Sequence, residues 1–113
     1  MAIKEFQLKS TRTLNQALPK DMNIVNMCLG AYGEFSEVSE LIKKHVFQGH
    51  ELNREKVKEE LGDTMFYLVN LATELDIDMT EVLQNNVDKL LIRYPEGFTA
   101  KASVERVDVN ARA

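Results

Sequence analysis

The chain has 113 residues, enough for one modest core and close to the size at which self-association helps. With 44% apolar residues, 28% charged residues and a net charge of −4, it reads as an ordinary globular domain, not a nucleic-acid-coating or membrane-surface protein. One cysteine excludes an internal disulfide and fits a reducing compartment; with neither a signal-peptide pattern nor an apolar run of ~18 residues, a cytoplasmic protein is expected.

Residues 3–12 form a short amphipathic piece with Ile3, Phe6 and Leu8 toward a core, followed by Leu14 and Leu18. Arg12 and Thr13 either sit on a solvated arm or touch a ligand, and Pro19 ends the segment. A long helix is expected over 21–47, with Asp21 as its N-cap and Gly49 past its end. Ile24, Met27, Cys28, Ala31, Phe35, Val38, Leu41 and Ile42 keep a helical period. Cys28 falls at a core spacing and reads as a small buried hydrophobe. On that helix Glu34 lies inside the apolar stripe, with Glu37 to one side and Lys44 beyond it. A carboxylate aimed at a core is costly unless paired or metal-bound. Gly30 and Gly33 each weaken a helix by about 1 kcal/mol against alanine, which suggests close approach of a neighbour. His45 is expected on the core side at the helix end, and His50 in the loop.

Asn53 caps a third helix over 54–75. Val57, Leu61, Thr64, Leu68, Leu71 and Leu75 make its main apolar face; Met65, Phe66, Val69 and Ala72 make a second. Two apolar faces in so short a chain suggest that another subunit covers one of them. Between them runs a polar line of Glu60, Asp63, Tyr67, Asn70 and Glu74. A fourth helix, 79–93, turns Met79, Leu83, Val87, Leu90 and Leu91 inward and aligns Asn86, Lys89 and Arg93 at the edge of that face, an arrangement suited to phosphate. Pro95 and Gly97 stop it; Tyr94 and Phe98 either cover a site or anchor the tail, and 100–113 lacks a strong pattern. The expected fold is all-α: one domain, 1–113, with a four-helix core over about 21–98.

Two carboxylate pairs, Glu34-x-x-Glu37 and Glu60-x-x-Asp63, thus lie on helices that can pack together, and four carboxylates need a counter-charge. Oxygen-only ligands suit Mg²⁺ or Mn²⁺; a di-iron bundle would want Glu-x-x-His pairs, which neither helix has. With a basic line for terminal phosphates, the assembly describes a metal-assisted phosphoanhydride hydrolase.

The two acid pairs, separated by 22 residues, resemble the signature of the all-α nucleoside triphosphate pyrophosphohydrolases, most closely the MazG-like branch. The similarity runs from about Cys28 to Phe98 and takes in Gly33-Glu34, Lys44, Glu59-Glu60-Leu61-Gly62-Asp63, Asn86-x-x-Lys89 and Arg93-Tyr94-Pro95. The resemblance implies cleavage of an NTP or dNTP between the α- and β-phosphates, with Mg²⁺ held by Glu34, Glu37, Glu60 and Asp63 and a metal-activated water attacking the α-phosphorus. It further implies phosphate binding by Lys89 and Arg93, support from Asn86, Lys44 and Tyr94, and a homodimer or dimer of dimers that clears non-standard or excess nucleotides. The chain shows one such domain where the MazG arrangement has two, which leaves a signalling role open. The base and sugar, and the general base among Glu34, Glu37 and Glu40, are left open. Relatives restricted to dCTP, dUTP or phosphoribosyl-ATP share the scaffold, and a metal-binding helical dimer without turnover is the reading from another class.

Overall fold

In the computed structural model, residues 1–15 and 17–112 are described, with side chains through Val109; the last residue of the tail, Ala113, lies outside them. The helices are α1 (Ile3–Ser10), α2 (Lys20–Gln48), α3 (Arg54–Glu74), α4 (Met79–Arg93), α5 (Ala100–Glu105) and α6 (Val107–Arg112), with a 3-10 turn at Thr11–Thr13. Among the described residues the only β feature is an isolated bridge between Pro95 and Gly97, so the all-α expectation holds. The chain divides into two compact units, Met1–Asp78 and Met79–Ala113.

In the first unit α2 and α3 form the main pair, and α1 packs on α3. Local chemistry sets the ends of the pair. Pro19, not Asp21, occupies the N-cap of α2, because its fixed φ already suits a helix entrance; Asp21 lies in the first turn, where its charge favours the helix dipole. The other end closes on Gly49 at φ 73, a left-handed conformation that glycine adopts without penalty. The Asn53 side chain accepts from the Lys56 N–H at 3.1 Å, as its capping position requires.

Met27, Ala31, Val38, Val69 and Ala72 make the buried apolar centre. Each large member contributes about 1.5–3 kcal/mol through burial. Of the two helix glycines on α2, Gly30 has the close neighbour: a Cβ there would meet the Tyr67 ring of α3, whereas one at Gly33 would meet nothing within 4 Å. Tyr67 therefore packs directly on the α2 backbone one turn before Glu34.

Several side chains depart from expectation. Cys28 is exposed, not buried, and so are Phe35 and Ile42, which share its line at steps of seven; Met27, Ala31 and Val38 of the expected stripe are buried, and Asn23 joins them. On α3 the supposed main face is open at Leu61, Leu68 and Leu75, while Glu60, Thr64, Val69, Asn70 and Ala72 are buried. Leu8 is exposed; α1 turns Gln7 and Ser10 inward, at the spacing that continues Ile3 and Phe6. Their burial is explained by hydrogen bonds: Gln7 donates to Thr73 Oγ1 at 3.1 Å and the Ile77 carbonyl at 2.9 Å, and Asn70 donates to the Phe66 carbonyl at 3.0 Å and the Ser10 carbonyl at 3.3 Å. His45 is exposed rather than core-facing; its Nδ1 meets the His50 carbonyl at 2.8 Å and so closes the loop after α2.

The second unit comprises α4 and two short helices in the tail, where the sequence showed no pattern. The expected inward face of α4 (Leu83, Val87, Leu90 and Leu91) is exposed. Thr99 caps α5 by accepting from the Ala102 N–H at 3.0 Å. Arg106, at φ 52, turns the chain into α6. Tyr94 packs on Phe98 with ring centroids 5.5 Å apart, which anchors the tail to the end of α4. No helix among the described residues is long and apolar enough to cross a membrane.

Candidate active site

The acid-bearing stretches of α2 and α3 meet just beyond the Gly30–Tyr67 contact. Glu34, Glu37 and Glu60 each offer a carboxylate oxygen, and these oxygens lie within 4.8 Å of one another. Glu60 is 3% exposed, Glu34 is half-buried and Glu37 is open to solvent. Asp63 stands outside this group, exposed on α3, yet its charge is felt by Glu34.

The electrostatics follow from crowding like charges. Glu34 is raised to about 7, first by its hydrogen bond with Glu60, then by desolvation and by the charges of Glu60, Asp63 and Glu37. Glu60 is held below its ordinary value by that same bond and by Lys56, whose Nζ lies 3.2 Å from Oε1. Of the two carboxyls, Glu34 is therefore the one on which a proton is favoured, since the Lys56 ammonium favours the charged form of Glu60. Lys56 is in turn raised, chiefly by Glu60.

The donor set fits a hard divalent cation. Glu60 Oε2 is buried and has no hydrogen-bond partner, which is costly unless something positive sits against it. All the donors are oxygens, and their negative charge exceeds what Lys56 alone can balance. Lys56 escaped the sequence reading, although its position four residues before Glu60 was a visible signal. Lys44 and Lys56 line a cleft of about 190 Å³ with Glu37, Glu40 and Leu41.

The basic line belongs to the second unit. Lys89 lines a cleft of about 260 Å³ with Asn85, Asp88 and Ile92; Asn86 is exposed and lies outside that lining. Arg93 is bound rather than open. Its Nε donates to Asp108 Oδ1 at 2.8 Å and its Nη2 to Oδ2 at 3.0 Å, and its Cζ lies 5.7 Å from the Tyr94 ring centroid. Asp108 went unnoticed because a lone carboxylate in an unpatterned tail carries no spacing signal.

Glutamates face one another across an antiparallel helical hairpin, and together they form a carboxylate cluster that could hold a divalent cation. The family model for the MazG nucleotide pyrophosphohydrolase domain matches residues 24–98. The chain belongs to that family. It is also 34% identical over 73 residues to the Gene 37 protein of Mycobacterium phage L5, an alignment covering 61% of this chain and 64% of the phage protein. The chain thus spans somewhat under two thirds of that relative's length. No solved structure matches.

Proposed function

We propose that the protein hydrolyses nucleoside or deoxynucleoside triphosphates to the monophosphate and pyrophosphate. The observation that carries this reading is the convergence of Glu34, Glu37 and Glu60 around an unpartnered buried oxygen, in a chain of the MazG family. Glu34, Glu37, Glu60 and Asp63 would hold Mg²⁺, with Mn²⁺ as a substitute. A bound ion of this kind supplies Lewis acidity toward a phosphoryl oxygen and acidifies the water that attacks the α-phosphorus. Glu34, raised to about 7, would have to lose its proton to serve as an oxygen ligand. Lys44 and Lys56 flank the acids, while Asn86, Lys89, Arg93 and Tyr94 are assigned to phosphate and sugar on the family motif. The role that follows is clearance of non-standard or excess nucleotides in the cytoplasm.

Self-association belongs to the same reading. Leu61, Leu68 and Leu75 repeat at steps of seven on α3 and are 46%, 38% and 47% exposed. Such a line is a seam for another helix, and a homodimer, or a dimer of dimers, supplies one.

Purified protein with Mg²⁺ should release pyrophosphate from at least one member of a panel of standard and modified (d)NTPs. Glu60→Gln should abolish that release while helicity by circular dichroism is unchanged. A folded Glu60→Gln variant that retains turnover would sink the assignment.

A further inference from the structure

Asp108 is 0% exposed and carries a charge. A carboxylate so placed needs pairing on every side, and it has it: both oxygens are taken by Arg93, and Arg106 Nε approaches Oδ1 at 3.5 Å. The turn that delivers it is not a relaxed one, since Arg106 adopts φ 52 without being glycine. The tail is thus folded so that one carboxylate reaches the side of one guanidinium.

The grip is selective. A guanidinium has five N–H groups. Asp108 takes Nε–H and one hydrogen of Nη2, and Tyr94 is a further hydrogen-bond partner of the group, so the Nη1–Nη2 edge is the part that Asp108 does not occupy. That remaining edge is the fork that recognises a phosphate through two parallel hydrogen bonds. The Tyr94 ring, 5.7 Å from Cζ, restrains the same group from another direction. Arg93 is 15% exposed at its side chain, so it is held rather than searching solvent. Fixing a long side chain beforehand removes part of the ordering cost that binding would otherwise meet. Ligand binding does not dissolve the pair, because withdrawing Arg93 would strand a fully buried carboxylate.

We infer that Asp108 is a positioning residue for phosphate recognition: from α6 it orients Arg93 so that the edge of the guanidinium that Asp108 does not occupy meets a phosphate group. This rests on the reading that Arg93 is a phosphate ligand. It gives the C-terminal tail a part in binding, and it means that Arg93 acts as a directed hydrogen-bond fork more than as a free charge.

The test is a double-mutant cycle on the full chain, with affinity for inorganic pyrophosphate in Mg²⁺ measured by calorimetry. The variants are Asp108→Asn, Arg93→Gln and the two together. Each single variant should weaken binding about tenfold, and the double should bind no more weakly than Arg93→Gln alone. Asp108→Glu, which keeps the charge but shifts it by one methylene, should also weaken binding and covers the case in which Asp108→Asn does not fold. Unchanged affinity in a folded Asp108 variant would make the pair a tail anchor only, and tighter binding would make Asp108 a competitor of phosphate; either result overturns the inference. So does a wild-type protein that fails to bind pyrophosphate. A wild-type protein that binds pyrophosphate with this dependence on Asp108 but hydrolyses no nucleotide would refute the hydrolase and leave the role of Asp108 standing.

Discussion

The two units handle charge in opposite ways. Across α2 and α3, three carboxylates of like sign are gathered with one lysine against them, and a buried oxygen of Glu60 is left unmet. At the end of α4, an equally buried carboxylate is fully matched by Arg93. Folding alone does not favour the first arrangement, since water would solvate those charges better. It persists because the hairpin is held by contacts elsewhere, such as Tyr67 against Gly30, and it leaves a deficit of positive charge at one point. The second arrangement has no deficit and is stable as it stands. The uncompensated charge of the first arrangement is what a cation would answer, whereas the compensated charge of the second leaves nothing to be answered.

That contrast can be broken most sharply at Glu60. Glu60→Gln removes the innermost oxygen ligand and should lower turnover by about a thousandfold or more, seen as loss of pyrophosphate release. The same change removes the main cause of the raised Glu34, whose titration near 7 should fall toward the ordinary carboxylate range when followed by carboxyl NMR.

The pH responses should run in opposite directions. Glu34 binds its proton more tightly in the folded chain than in the unfolded one, so between about 4.5 and 7 the metal-free protein loses stability as pH rises. Asp108 is held well below its ordinary value by Arg93, so its contribution is present above the unfolded carboxylate range and is lost as pH falls below it. Thermal melts across pH in chelator should show the first slope, and saturating Mg²⁺ should remove it. Hydrogen exchange in α6 at acid pH should show the second. A metal-free melting temperature that rises between pH 5 and 7 would refute the proton on Glu34.

The packing that holds the acids together can be graded next. Gly30→Ala drives a Cβ into the Tyr67 ring and should destabilise the protein by about 1–3 kcal/mol. Gly33→Ala and Gly62→Ala meet nothing within 4 Å and should instead stabilise by up to ~1 kcal/mol through helix propensity. Denaturant melts of the three variants check the ordering. Equal effects at all three positions would show that Tyr67 does not set the approach of α2 to α3.

Much of this was readable from residues alone, and the reasons are specific. The ends of α3 and α4, and the close of α2 at Gly49, follow from capping and helix-stopping chemistry, which acts over a few neighbours. Glu34 and Glu60 could be placed because helical phase carries a side chain to a known face. Phase did not distinguish which of two apolar faces faces inward: Leu61, Leu68 and Leu75 look as core-like as Val69 and Ala72 in sequence, yet they are open. Nor did it reveal that α1 docks through Gln7 and Ser10, because polar burial depends on partners 60 and 66 residues away, Asn70 and Thr73. Asp108 was unreadable for the same reason. Its meaning lies in Arg93, 15 residues earlier, and in a turn at Arg106 that no local rule announces.

The central claim is that Glu34, Glu37 and Glu60 form a divalent-cation site. Titration of Mn²⁺ into the metal-free protein, followed by calorimetry at pH 6 and pH 8 in buffers of different ionisation enthalpy, tests it most directly. The account predicts binding at both pH values, a proton released at pH 6 but almost none at pH 8, and loss of the binding in Glu60→Gln. Binding that releases no proton at pH 6, or that survives Glu60→Gln unchanged, would contradict it.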